Sequence, residues 1–241
     1  MSLTLLQLCQ TALQERGEFS VPATIVGNSD PTAVRLLALA NRAGRWTMKE
    51  NTWQALVKTY TFSTSNGVSD YAIPSDLDRF LNLTFWDRTY YRYVKGPVSA
   101  AEMELLRSSR IAMASQFYSY FRIVGNLFTI YPTPAATRTF AYQYVGKNWI
   151  TASGDSSPSK EYFTVDSDTC SFNDDIMVLG IKERFQAAID GVEWQPSTEL
   201  TSFIGKAVMA DGGKDVIVFG PGPLVGPLGR GNLPETGYGN P

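Results

Sequence analysis

The sequence predicts an α+β protein: a helical bundle built from its two ends, a central antiparallel β region, and an extended C-terminal arm. Three observations predict it. Helical periodicity is confined to the first 56 residues, a short stretch near residue 100, and residues 174–211. Period-two, aromatic-rich texture fills the middle. The last segment, "FGPGPLVGPLGRGNLPETGYGNP" from Phe219 to Pro241, is more than half glycine and proline, a composition that supports neither a helix nor a central strand.

Within the first helix, Leu6, Cys9 and Leu13 recur at helical spacing and Gly17 follows Arg16 as a stop, so residues 3–16 read as helical. The second helix begins where Asp30 can cap orphan amides and Pro31 occupies the first helical position. Its apolar stripe holds Ala33, Leu36, Leu37 and Ala40, while Arg35, Arg42, Arg45 and Lys49 gather on the other side. It is expected to run to about Leu56.

Alternation then takes over. Tyr60 and Phe62 interleave with Thr59, Thr61 and Ser63, and Ser65-Asn66-Gly67 reads as the turn of a hairpin. Further strands are expected at Phe80 to Trp86, Tyr90 to Val94, Phe117 to Val124, Leu127 to Tyr131 and Thr139 to Val145, with Gly125-Asn126 as a turn. One helix, Ala100 to about Arg107 with Ser99 as cap, should cover an edge or face of the sheet. Thr151 to Ser159 is small and polar and reads as a loop tip. Apolar periodicity returns at Val178, Ile181, Phe185, Ala188 and Ile189, and again at Leu200, Phe203, Ile204, Ala207 and Val208, closing at Asp211-Gly212-Gly213. The domain organisation is therefore a bundle of residues 1–57 and 174–214, a β-rich unit of residues 58–173, and an arm of residues 215–241.

Composition narrows the function. The chain has 241 residues, 44% apolar and 18% charged, with formal net charge -2; it is a folding sequence without a global field for nucleic acid or an anionic membrane. Cys9 and Cys170 suit reduced thiols and a cytosolic origin. The opening MSLTLLQLCQ has neither the basic start of a signal peptide nor the length of a membrane span.

Histidine is absent, which removes the usual general base and every Ser-His-Asp or Cys-His arrangement. No CxxC pair, Walker-type loop or strand-linked GxGxxG occurs, so no cofactor and no metal are expected. Asp166, Asp168, Asp174 and Asp175 form the densest acidic group. A hard cation or carboxylate-dependent hydrolysis would use such residues, but a solvated loop followed by a dipole-stabilised first helical turn explains them more simply. Glu102 and Glu104, two apart on a helix, do not face each other.

Two features look like interaction surfaces instead. The basic side of the second helix suits a DNA passage or a contact between subunits, because Arg and Lys contact phosphate regardless of base sequence. In the arm, Leu224, Val225, Leu228, Leu233 and Tyr238 punctuate a segment that a pure solvent linker would fill with Ser, Gln, Lys and Glu. They read as anchors of an extended binding segment that orders on a partner.

The succession of "IVGNSDPTAVRLLALANRAGRW" from Ile25, "WQALVKTYTF" from Trp53, "YAIPSDLDRFLNLTFWDRT" from Tyr71, "GPVSAAEMELL" from Gly96, "FRIVGNLFTIYPTP" from Phe121 and "YVGKNWI" from Tyr144 resembles the head-to-tail adaptor (connector) proteins of short-tailed bacteriophages and prophages, related to the tail tubular protein A group. The resemblance implies a non-enzymatic virion protein of the phage neck, assembled in the host cytoplasm. It implies a homo-oligomeric ring, twelvefold, joining the portal protein to the tail nozzle protein and extending the channel for double-stranded DNA, with no membrane partner. A ring protomer needs a terminal arm to lock its joint, so the arm residues Leu224, Val225, Leu228, Leu233 and Tyr238 are assigned to the portal, with a neighbouring copy or the nozzle as the other partners open to them. The long Gly/Pro tail past Gly213 departs from many relatives. Another tail component, nozzle or baseplate-like, is the alternative, and a cell-wall hydrolase has no motif to carry it.

Overall fold

The computed structural model describes residues 2–18, 20–108 and 119–212. Among them, helices α1 (Leu5–Arg16), α2 (Pro31–Glu50), α4 (Asp174–Asp190) and α5 (Thr198–Asp211) come from the two ends of the chain and pack on one core, and α3 (Ala100–Ser108) belongs to the middle. The fold is α+β, as the segregation of helical and alternating texture predicts.

Local chemistry sets the helix ends. Thr4 and Gln7 form a reciprocal capping box at α1, and Gly17, in the left-handed region at φ 87°, closes it. Asn173 and Ser197 cap α4 and α5 through their side chains. Asp30 occupies the cap position of α2 but its side chain makes no cap bond, so the start rests on Pro31. The helix stops at Glu50, earlier than expected. Arg79 reaches back to donate to the carbonyls of Met48 and Asn51, satisfying acceptors that the helix end leaves open, and a single 3-10 turn at Gln54–Leu56 follows.

The strands are β1 (Val57–Ser63), β2 (Asp70–Ala72), β3 (Leu77–Phe80), β4 (Trp86–Asp87), β5 (Arg92–Lys95), β6 (Ser119–Val124), β7 (Leu127–Tyr131), β8 (Thr139–Gly146), β9 (Ile150–Thr151) and β10 (Thr169–Cys170). One curled sheet has the order β1-β8-β4-β5-β6-β7-β2, with β3 also on β8, and β9 pairs with β10 separately. The expected hairpin at Ser65-Asn66-Gly67 is a turn, but its flanking strands are not partners: β1 pairs with β8 from Val57↔Val145 to Ser63↔Thr139, and β2 pairs with β7. The Gly125-Asn126 hairpin holds, with Val124 opposite Leu127 and Gly125 at φ 59°. The sheet is mixed because β5 and β6 run parallel. Parallel neighbours need a crossover connection, and α3 lies in that connection.

Alternation does what period two requires. Tyr60 and Phe62 point inward, while Thr59, Thr61 and Ser63 are exposed. Phe85, Phe121, Phe128, Phe140 and Tyr142 are buried in the curl, with Tyr60, Phe62, Tyr71 and Phe80 packed around them. Ring centroids at 4.9 Å for Phe85 and Phe121, edge to face, and 4.8 Å for Phe128 and Tyr142 show aromatic packing at close quarters. The helix α3 covers the β6–β7 part, with Met103 buried beside Val98 and Tyr131.

A second core lies under the helices. Leu5, Leu8 and Leu13 of α1, Leu36 and Ala40 of α2, and Met177 and Ile181 of α4 are buried together. Trp149, Ile150, Phe163, Cys170 and Phe172 join this helical core. Both Cys9 and Cys170 are free and buried, and burial pushes each thiol up to about 12.

Candidate interaction surfaces

The residues Arg35, Arg42, Arg45 and Lys49 are all exposed on α2. With Ala38, also exposed, they advance by alternating steps of three and four residues, which keeps them on one side of a helix for about 21 Å. Among the described residues none of the four has a carboxylate partner. Arg45 lies over the Tyr162 ring at 5.3 Å, and Arg42 lies close enough to Arg184 to act on its charge. The opposite side of α2, through Ala33, Leu36, Ala40, Ala43 and Gly44, is buried, so the stripe is fixed in direction by the core behind it. The anchor residues Leu224, Val225, Leu228, Leu233 and Tyr238 lie outside the described residues.

The acidic group does structural work. Asp166 accepts from the backbone amides of Ile25 and Val26, the latter at 2.8 Å, tying the segment before α2 to the loop before β10. Asp168 is 1% exposed and accepts from Lys160 Nζ at 2.8 Å and from the amides of Thr164 and Val165. Burial pushes the Asp168 carboxyl up, but Lys160 and the two amides outweigh it and hold it below its ordinary value. Asp174 accepts from Leu3 N and Ser2 Oγ. These carboxylates are therefore not the solvated loop expected: Asp166 and Asp168 bind backbone and Lys160, while Asp174 and Asp175 do sit in the first turn of α4. Among the described residues no group of three or more ligand-type side chains is arranged for a metal ion. Glu102 and Glu104 are exposed on α3, and Glu104 pairs with Arg107 at 2.9 Å.

A further surface has no counterpart in the sequence reading. The β4–β5 turn carries Arg88, Thr89, Tyr90 and Tyr91, with Tyr91 84% exposed and at φ 55°. Beneath it, buried Asp87 accepts from the amides of Thr89 and Tyr90, and Thr139 N donates to Thr89 Oγ1 at 2.9 Å. Arg138 lies over the Tyr90 ring at 4.7 Å. The tip is thus preorganised, with Tyr and Arg, the residue types that dominate protein contacts, facing outward. An Asp placed two and three residues before amides it can cap was the legible sign of a rigid turn.

The described residues thus present surfaces of charge and aromatic rings on a rigid frame. The chain belongs to the SU10 adaptor protein family, whose model matches residues 3–191; it is a phage adaptor protein, associated with the virion. The match takes in α1 to α4 and every strand described, and leaves α5 outside. No curated protein matches the chain. No helix among the described residues is long and apolar enough to cross a membrane.

Proposed function

We propose that the chain is the head-to-tail adaptor of its phage: copies assemble as a ring of twelve that joins the portal protein to the tail nozzle protein and extends the channel for double-stranded DNA. The role is mechanical and not enzymatic. The observation that carries the reading is the stripe Arg35, Arg42, Arg45 and Lys49, four exposed cations with no carboxylate partner among the described residues, on a rigid helix inside the family-matched residues. In a closed ring each copy repeats such a stripe around the axis, where it serves the channel wall or the joint between subunits.

The two cores divide the labour. The bundle of residues 1–57 and 174–214 supplies packing surfaces for neighbouring copies, and the β-rich unit of residues 58–173 presents a preorganised turn to the next ring. The arm of residues 215–241, through Leu224, Val225, Leu228, Leu233 and Tyr238, grips the portal. An extended segment binds weakly per unit area, but many copies in one ring multiply its effect. Assembly takes place in the host cytoplasm and the product resides in the neck.

Sedimentation of the purified chain with the portal protein of the same genome tests this reading. The full chain should join the portal in a ring-sized complex, and a version stopped after Lys214 should not. Binding by both versions removes the arm from the joint, and binding by neither removes the adaptor role.

A further inference from the structure

Arg184, on the face of α4 that meets α2, is 4% exposed and pairs with no carboxylate among the described residues. Its guanidinium carbon lies over Trp194, 3.3 Å from the ring centroid, and 5.5 Å from the Trp46 centroid. The two indoles meet edge to face at 5.1 Å. The two rings offer π faces but no hydrogen-bond acceptor to the guanidinium N–H groups. Nε and Nη2, the two nitrogens whose N–H bonds run parallel as a fork, are buried without a hydrogen-bond partner among the described residues, and so is Trp194 Nε1.

The neighbouring carboxylate does not fill this need. Glu183 accepts from Ser197 N and Ser197 Oγ, which anchors the segment between α4 and α5. Burial, and then the charge of Arg42, lower Arg184 to about 10, so it stays a cation at neutral pH. A buried guanidinium without a counter-ion is unfavourable, and its side-on fork is shaped for two oxygens of one anion.

We propose that Arg184 and Arg42 form an oxyanion site that takes a phosphate group, with Trp194 Nε1 as an additional donor. Two cations and three unpartnered donors outnumber the one carboxylate whose charge reaches Arg184, that of Glu183, and suit the several acceptor oxygens of a phosphate group, free or esterified, better than a single carboxylate. Entry is through the α4–α5 segment that carries Trp194. Gly191, Val192, Glu193, Gln195 and Pro196 are all exposed, so the segment is held chiefly by the packing of Trp194 and by Ser197 on Glu183. A groove of about 500 Å³ beside it, lined by Lys182, Glu183, Trp194 and Ser197 among others, leaves room for it to shift. The phosphate is either free in solution or part of a DNA backbone running along the α2 stripe that Arg42 belongs to. Only the second source rests on the DNA-channel reading above.

Tryptophan emission of the full chain tests the site, because Trp46 and Trp194 flank the guanidinium. Inorganic phosphate and a short DNA duplex are titrated separately, with chloride holding ionic strength constant. The expected result is a saturable change with at least one of them. Arg184→Lys, which keeps the charge and loses the fork, should weaken it at least about tenfold, and Arg42→Gln by about three- to tenfold. A response to phosphate assigns a free anion, and a response to duplex alone assigns a phosphodiester. No saturable response to either, or one that Arg184→Lys leaves unchanged, overturns the site. Portal sedimentation of Arg184→Lys separates the two readings: loss of the phosphate response with portal binding intact leaves the adaptor role standing.

Discussion

The bare backbone of α2 at Gly44 is the seat of the Trp149 ring: a Cβ added at Gly44 would overlap Cη2, Cζ3 and Cζ2 of that indole. Trp149 is fully buried, stacked on Phe172 at 5.6 Å and edge-on to Phe163 at 5.1 Å. The ring therefore has little freedom to retreat, and the segment after β8 is keyed into the helical core through this one glycine.

Gly44→Ala should destabilise the fold. Helix propensity favours alanine by about 1 kcal/mol, but the overlap is with a packed ring and overpacking costs about 1–3 kcal/mol or more. A urea midpoint lowered at unchanged slope, equivalent to a net loss of about 2 kcal/mol, is the expected reading. An unchanged or raised midpoint contradicts the close approach.

Acid should weaken the Asp168 staple. Its carboxyl titrates lower in the folded chain than the ordinary 3.8, so its contribution is complete above that value and is lost as pH falls through the folded value. Asp76, bonded to Lys58 Nζ at 2.7 Å and Tyr144 Oη at 2.9 Å, is also lowered and acts in the same direction. Asp168→Asn should cost about 1–3 kcal/mol at neutral pH, and its stability curve should converge with that of the parent at a pH below the ordinary 3.8. Parallel curves down to that pH would contradict the assignment.

Tyr91 holds the left-handed conformation without being glycine, a strained choice for a bulky side chain. With the side chain removed in both, Tyr91→Gly should be more stable than Tyr91→Ala by about 1 kcal/mol. Thermal unfolding of the two variants decides it, and the reverse order would mean that the turn adopts another conformation in solution.

Replacing Arg35, Arg42, Arg45 and Lys49 together by Gln should leave stability within about 0.5 kcal/mol, because the four are exposed. If the stripe faces DNA, the salt dependence of duplex binding should flatten by about three to four units of slope. Equal slopes for parent and variant would assign the stripe to contacts between subunits.

Helices and their starts were legible where a local signal decides them: Pro31 opening α2, Gly17 closing α1, Ser99 capping α3 through Glu102 N at 3.1 Å. Strand texture was legible too, but pairing was not. Ser65-Asn66-Gly67 marks a turn, yet whether the chain after it returns to β1 depends on β8, which lies far along the sequence. The Phe80 to Trp86 run, aromatic enough to suggest one strand, only touches two: Phe80 ends β3 and Trp86 begins β4, with Leu83 between them at φ 65°. The basic stripe was readable because one helix carries it. The Arg184 site was not, because it joins Trp46 and Trp194 from separate elements to a residue that, on its own helix, looks like an ordinary surface arginine. Asp166 and Asp168 were misread as solvated for the same reason: their partners at Ile25, Val26 and Lys160 are supplied by the fold.

The most direct test of the adaptor role is a reconstruction of the tailed particle at a resolution that traces the chain. The account predicts a ring of twelve copies between portal and nozzle, with residues 215–241 against the portal. Copies placed away from the portal, or absent from the neck, would contradict it.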